Sequence, residues 1–369
     1  MSTAEKDPPG NGDAGEDVRV GDLSEEELLA VITPLLPRGP QTPVGTGDDC
    51  AVLSFPDSHT VVSTDVLVEG RHFRTEWSTG RDVGARAAAQ NLADAAAMGA
   101  RPVALVVGLV MPAATSVGWV RHFARGLAQG CEPCGAGVVG GDLSAGDSLV
   151  VAVTVLGDLE GRAPVLRSGA RPGDVVVHVG TLGRSAGGLA LLGAGTDYAS
   201  GSHASVFGGQ EQARAQACIE VFRAPTPPLA AGRELALAGA TSMLDVSDGL
   251  LRDAGRIARA SGVVIDLDDP ADLPDVSFLE PVAALVSGHD ESTARALARS
   301  WLLTGGEDHG LLATVPADAL ERLPAGARVI GRVLSPQSSP ARVLGHRPGV
   351  LLAGEFAQEH TGWDHFSHA

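Results

Sequence analysis

An alternation constrains this chain more than any other feature. Val-rich runs of strand length recur between Ala-rich stretches of helical length, in both halves of the sequence. In the first half, ARPVALVVGLVMP and LVVAVTVLGDL read as buried strands, as does VVSTD within Ala51 to Val68, a stretch that reads as two strands. Between them lie an Ala-rich helix over Asp82 to Met98, closed by Gly99, and a second helix around Trp119 to Gln129. In the second half DVVVHVG, GVVIDLD, LLATV and ARVIGRV are strands, with a small-residue helix at SAGGLALLGAG and an Ala-rich helix further on. Strands interleaved with helices define an α/β (α+β) fold class, with strand order left open.

The pattern is interrupted near Gly157 to Gly173, a loop rich in Gly, Arg and Pro, and the domain boundary is expected there. This gives an N-terminal domain over 21–158 and a C-terminal domain over 159–369, each large enough for its own core. Residues 1–20 form an acidic tail rich in Gly and Pro, expected to be disordered because it has little apolar surface to offset ordering. Ser24 and Glu27 then form a capping box that opens an amphipathic helix, which Pro37 to Pro43 breaks. The segment around Asp197 to Gly209 is expected to be a mobile surface loop.

The N-terminus lacks the basic start and apolar stretch of a signal peptide, so a cytoplasmic protein is expected. No apolar run reaches the ~18 residues of a membrane span. The formal charge of −18 argues against a nucleic-acid partner, which would need a basic face. Of four cysteines, Cys131 and Cys134 form a lone CxxC with no second pair to complete a zinc site. Partly buried thiols are the expected reading, with redox activity the alternative.

The acidic residues are more informative by place than by number. Five separated segments set Asp beside Gly, Ser or Asn: Gly47-Asp48-Asp49, Ser63-Thr64-Asp65, Asn91-Leu92-Ala93-Asp94, Gly140-Gly141-Asp142 and Asp245-Val246-Ser247-Asp248-Gly249. Any one of these could be ordinary turn chemistry, and Asp245 with Asp248 could be an N-cap pair. Asp94 is harder to dismiss, because it interrupts AAAQNLADAAAMGA. Gln90, Asn91 and Asp94 share one face of that helix and cut a polar notch that points to a ligand or partner. Dispersed carboxylates of this kind suit hard Mg²⁺ ions shared with phosphate oxygens. The usual phosphate motifs, GxxxxGK[ST], GxGxxG after the first strand and the kinase catalytic loop, are missing.

GDDCAVL, STDVLVEGRHF, NLADAAAMGA, GGDLSAG, RSGARPGD, MLDVSDGL and LTGGEDHGL occur here in one order. In that order the chain resembles the thiamine-monophosphate kinase family, within the aminoimidazole ribonucleotide synthetase-like superfamily. The resemblance runs from about Gly45 to the closing GWDHF. It implies a two-domain fold, with an N-terminal mixed α/β domain that dimerises through its sheet and a C-terminal α/β domain that closes over the nucleotide. It implies ATP-dependent phosphorylation of thiamine monophosphate to thiamine diphosphate, by direct in-line transfer with several Mg²⁺ ions and no covalent nucleophile or general base. Position by position, Asp49, Ser63, Thr64, Asp65, Asp94, Asp142, Asp245 and Asp248 match metal positions, with Asp48 behind Asp49. Gly141, Asp142, Arg167 and Ser247 match ATP positions. His72, Glu307 and Trp363 match positions that contact thiamine monophosphate, and Trp363 stands where the family often has Tyr.

Read without the resemblance, Trp363 is a core residue and Glu307 and Arg167 are surface residues. Other members of the superfamily are the rival readings. A selenophosphate synthetase needs a reactive Cys or selenocysteine near the N-terminus, and none precedes Cys50. The hydrogenase-maturation dehydratase ends in Cys, whereas this chain ends in Ala369. GGEDHG and GWDHF speak against an aminoimidazole ribonucleotide synthetase. A catalytically silent magnesium-nucleotide sensor is a rival of another class.

Overall fold

The computed structural model describes residues 18–46, 51–56, 59–195, 209–338 and 340–357. The tail over 1–17, the insert over 196–208, Asp48, Asp49, Cys50 and Trp363 lie outside the described residues.

Helix α1 (Glu25–Ile32) opens as its capping box dictates: the Ser24 backbone N–H donates to Glu27 at 2.8 Å, and the Glu27 N–H returns to the Ser24 hydroxyl at 3.3 Å. Strand β1 (Thr60–Val68) follows. Among the described residues, β1 is the one strand that forms between Ala51 and Val68. Ala51, Leu53 and Phe55 instead pack as irregular chain on Ala104, Val139 and Leu156, apart from a bridge of Val52 to Val44. Helix α2 (Gly80–Ala97) starts two residues before its expected bound, because Thr79 and Asp82 form a second capping box. Gly99 follows at φ 74°, the left-handed conformation that lets the chain leave the helix.

Strand β2 (Arg101–Met111), helix α3 (Val117–Cys131), strand β3 (Gly137–Ala145) and strand β4 (Val150–Asp158) complete the first half. The sheet order is β1-β4-β2-β3, with β1 and β2 antiparallel to β4 and β3 parallel to β2. Gly140-Gly141-Asp142 lies inside β3 rather than in a turn. Gly141 is required by proximity: a Cβ there would stand 1.9 Å from the Val107 carbonyl oxygen on β2.

Side chains alternate across these strands. Leu67, Leu105, Leu109, Val151, Val153 and Val155 face inward and form one core with α2 and α3. On the opposite face Val62, Val66 and Val106 are 66%, 44% and 37% exposed. Helices α2 and α3 touch backbone to backbone: a Cβ at Gly84 would lie 2.1 Å from the Phe123 oxygen, and one at Gly126 2.1 Å from the Arg81 oxygen. This contact needs glycine on both helices, and it sets the position of α2.

The second half comprises β5 (Val175–Val179), α4 (Arg184–Gly193), α5 (Gly209–Arg223), α6 (Leu229–Ala238), β6 (Ser242–Val246), α7 (Leu250–Ser261), β7 (Val264–Leu267), α8 (Pro274–Val286), α9 (Glu291–Thr304), β8 (Gly310–Val315), β9 (Arg328–Leu334), β10 (Gly349–Leu352) and β11 (Glu355–Phe356). The seven strands run in the order β11-β10-β7-β9-β5-β8-β6. One core joins this sheet to α4, α5, α7, α8 and α9, and a second fills its other face with Leu235 of α6 and Ala97 of α2.

The two halves meet along α2 and α6, where a Cβ at Gly232 would stand 2.1 Å from the Ala96 oxygen. Beside that contact Glu160 gathers Arg162, Arg233 and Arg101, and the hydrogen bonds from Arg162 and Arg233 hold its carboxyl down at about 2. The CxxC closes α3 with both thiols free, and burial pushes Cys131 up to about 12. A thiol held protonated in this way is a poor nucleophile, which favours the structural reading.

Candidate active site

The polar face of α2 and the middle of β1 meet strand β6 and the loop before β8. The Ser63 hydroxyl donates to Asp94 Oδ2 at 2.6 Å, and the Asp65 backbone N–H donates to Asn91 Oδ1 at 3.2 Å. Asn91 is oriented from behind by its own amide, which donates to the Ala87 carbonyl at 2.9 Å. From the second half, Asp245 on β6 pairs with His309 Nδ1 at 3.0 Å.

These carboxylates feel one another across the seam. Burial raises Asp94 first, and Asp245 and Asp65 add to it, bringing it to about 7. Burial likewise raises Asp65, with Asp245 and Glu307 adding and His309 and Gln90 opposing. Burial also opposes charge on His309, yet Asp245 and Glu307 outweigh it and lift the imidazole to about 10. The cluster is therefore three crowded carboxylates with one imidazolium among them, an arrangement that attracts further positive charge.

The loop Gly305-Gly306-Glu307-Asp308-His309 carries the other wall. Its backbone is pinned to the Asp245–Asp248 segment, with Glu307 N–H donating to Ser247 O at 2.9 Å and His309 N–H to Val246 O at 3.1 Å. Gly306 permits this contact, since a Cβ there would lie 2.1 Å from the Ser247 oxygen. Glu307 and His309 are both left-handed, at φ 68° and 53°, conformations rare for side-chain-bearing residues and common at functional sites. Burial alone would raise the Glu307 carboxyl, but Arg86 and His309 hold it below its ordinary range. Asp308 turns away and accepts from Thr181 Oγ1 at 2.8 Å and Arg184 N–H at 3.1 Å, capping α4.

Glu307 and Phe222 line two adjoining cavities, of about 300 Å³ and about 630 Å³. The smaller is also lined by His72, Trp77 and Arg86. His72 Nδ1 accepts the Val68 N–H at 3.0 Å, which leaves its other nitrogen to carry the proton. A third cavity of about 420 Å³, mostly apolar, lies between α1, α3 and β3 and is lined by Gly141 and Asp142.

The expected residues thus separate into groups. Ser63, Asp65, Asp94 and Asp245 come together, and His72 and Glu307 share a cavity. Thr64 points to the other face of the sheet, where its hydroxyl meets Thr154 at 2.8 Å, so its side chain does not join the cluster and only its backbone could. Asp142 is exposed on β3, holding the Ser144 hydroxyl at 2.7 Å. Asp248 is bound by Arg256, and Asp253 accepts its N–H at 3.0 Å. Neither Asp245 nor Asp248 is an N-cap: α7 begins after Gly249, which makes no side-chain cap. Arg167 is exposed in a loop whose carbonyl accepts from Ser261 at 3.1 Å, and Ser247 is half-buried beneath Glu307. Among the described residues no group of three or more His, Cys, Asp or Glu is arranged to hold a metal ion by itself.

Sequence reasoning assigned no role to His309, Arg86, Trp77 or Phe222. Arg86 was legible, since Arg86, Gln90 and Asp94 stand at i, i+4 and i+8 on the same otherwise apolar helix. The meeting of Trp77 with Phe222 had no sequence signal, because they belong to different halves.

Comparison with known proteins agrees with this architecture. The AIR synthase related protein N-terminal domain matches residues 47–159, and the corresponding C-terminal domain matches residues 171–342. The two-domain α/β fold is that of the AIR synthase-related class. A Mycobacterium tuberculosis thiamine-monophosphate kinase is 44% identical over 348 residues, 92% of this chain and 91% of the relative. A Corynebacterium glutamicum thiamine-monophosphate kinase is 44% identical over 85% of this chain and 87% of its own. The chain belongs to the thiamine-monophosphate kinase family. Among solved structures, a Stenotrophomonas maltophilia thiamine-monophosphate kinase superposes with a TM-score of 0.71 at 31% identity, covering 90% of this chain and 96% of its own. AaThiL complexed with AMPPCP and TMP superposes with a TM-score of 0.69 at 29% identity, covering 95% and 99%.

Proposed function

We propose that this chain transfers the γ-phosphoryl group of ATP to the phosphate of thiamine monophosphate, giving thiamine diphosphate and ADP. The observation that carries this reading is the convergence of Asp65 and Asp94 with Asp245 from the other half, beside the cavity of His72 and Glu307. AaThiL, which shares the fold, has been solved with AMPPCP and TMP together.

The candidate ligands are carboxylates, hydroxyls and backbone carbonyls, the donor set of a hard cation, and the burial and neighbouring carboxylates that raise Asp94 are both offset by one. Asp49, Ser63, Thr64 through its carbonyl, Asp65, Asp94, Asp142, Asp245 and Asp248 would hold Mg²⁺, with phosphate oxygens completing the shell. Bound Mg²⁺ supplies charge neutralisation for two anionic reactants. Gly141 and Asp142 border the apolar cavity, which suits a nucleotide base. Ser247 and the forked guanidinium of Arg167 would bind the ATP phosphates. His72 and Glu307 would orient the acceptor, with Trp363 of the closing GWDHF stacking on its rings. The acceptor phosphate is ionised near neutral pH, so in-line attack requires alignment rather than a side-chain base.

The halves over 21–158 and 159–369 would act as a metal-binding and dimerising domain and a closing domain. The apolar face bearing Val62, Val66 and Val106 suits a second copy of the chain, so we assign a homodimer through this sheet. Among the described residues no helix is long and apolar enough to cross a membrane. Incubation with ATP, Mg²⁺ and thiamine monophosphate should yield thiamine diphosphate without free thiamine. ADP release only on aminoimidazole-type substrates would overturn the reading.

A further inference from the structure

Arg86 is a charge buried in the middle of α2, with a side chain only 4% exposed. A helix that packs through Ala and Gly gains nothing sterically from a guanidinium there. Its two terminal nitrogens serve different partners in the second half: Nη1 donates to the Phe222 carbonyl at 2.7 Å and Nη2 to Glu307 Oε2 at 2.5 Å. The guanidinium carbon also lies 5.2 Å from the Phe222 ring centroid, and Phe222 meets Trp77 edge-on at 6.2 Å between centroids.

The pair is asymmetric. Glu307 is 32% exposed and lines both adjoining cavities, whereas Arg86 sits almost wholly behind it. A buried ion pair is a weak source of stability, since desolvating both charges roughly cancels their attraction. What such a pair does well is fix direction, because Arg presents its donors in a rigid fork. Held at the carbonyl of Phe222, the fork leaves the Glu307 carboxylate one orientation.

We propose that Arg86 is a positioning residue for acceptor recognition, aiming the Glu307 carboxylate into the cavity walled by Phe222 and Trp77 so that it accepts from an amino group on a flat heteroaromatic ring. This rests on the reading of the chain as a thiamine-monophosphate kinase and adds the residue that sets its acceptor specificity.

The test is a cycle of R86K, E307Q and the double variant. Thiamine monophosphate binding is measured calorimetrically with an ATP analogue present, alongside steady-state kinetics for each substrate. Lys keeps the charge but cannot span both acceptors. R86K is expected to weaken thiamine monophosphate about 10- to 100-fold, the range of a lost charged hydrogen bond. KM for ATP should stay within about twofold and kcat should fall less than KM rises. In the E307Q background R86K should add less than about threefold, because Arg86 acts through Glu307. Fully additive effects, equal damage to both substrates, or wild-type affinity in R86K would each overturn the proposal. Should R86K fail to fold, E307D replaces it: the shortened carboxylate keeps its charge but loses the Arg86 fork, and unchanged affinity there overturns the proposal too. If the wild-type protein itself binds no thiamine monophosphate, the functional reading falls and takes this one with it.

Discussion

The two sheets bury their strands differently. The seven-stranded sheet has helices against one face and α6, with the end of α2, against the other, so strands β5 and β8, and even the edge strand β6, are buried throughout or nearly so. The four-stranded sheet has α2 and α3 on one face only, and β1 alternates between exposed and half-buried residues along most of its length. Yet the open face carries Val rather than Lys or Glu. A sheet that needs no partner places polar residues on its wet side, whereas this one keeps apolar surface available. The more covered sheet contributes Asp245, Glu307 and His309 from its edge strand and adjacent loop, and the half-covered sheet contributes Ser63 and Asp65. We propose chemistry at the seam between them and assembly on the part of the second face that Ala51, Leu53 and Phe55 leave uncovered.

The strongest way to break this division is at the seam. Asp94→Asn removes one charge and almost no volume from a cluster that already repels itself. Activity should fall by about a thousandfold or more, since loss of a preorganised charged group costs on that scale. Thermal stability of the metal-free protein should hold or rise, because a buried repulsion is relieved. A variant that melts far lower but turns over normally when folded would make Asp94 structural.

At the bare face the expected effect is smaller and of another kind. Val62→Asp should weaken self-association by about a hundredfold or more, as a charge in an apolar interface does, and sedimentation would show monomers at micromolar protein. Val329→Asp, on a 45%-exposed Val of the second sheet, should leave the mass unchanged. If both variants remain dimers, the second copy sits elsewhere. The smallest effect should come from the closing motif. Trp363→Ala should raise KM for thiamine monophosphate about 5- to 150-fold, the worth of an aromatic and cation–π contact of roughly 1–3 kcal/mol. Trp363→Tyr should keep most of that affinity, and KM for ATP should barely move. Parallel losses in both constants would assign Trp363 to folding or assembly instead.

Much of this was legible from local signals. Ser24 with Glu27 gave a helix start, and Asp94 in an Ala-rich helix marked the polar face that the fold turns toward Asp65 and Asp245, because a charge in such a setting is costly unless used. The same logic applied to Arg86 and was not followed. Thr64 shows a rule left unapplied: a period of two sends it to the face opposite Ser63 and Asp65. Gly140-Gly141-Asp142 looked like a turn because Gly and Asp favour turns. The close approach of Val107, which no local pattern encodes, kept it in a strand. Helices α8 and α9, strand β6 and the order of seven strands depend on contacts between distant segments, and only the folded chain discloses those.

The glycine contact between α2 and α3 bears on how this site can change over evolutionary time. Where helices meet through side chains, a substitution can be absorbed by a neighbouring rotamer. Where Gly84 and Gly126 bring one main chain against the other, nothing soft is available to yield. A single methyl at Gly84 must push α2 bodily away from α3, and Arg86, Gln90 and Asp94 travel with it as a block. Misplacement of about 1 Å is enough to cost a hundredfold in rate. The carboxylates, the carboxylate-aiming arginine and the helix spacing therefore form one heritable unit, and drift in α3, well outside the pocket, is constrained as tightly as drift within it.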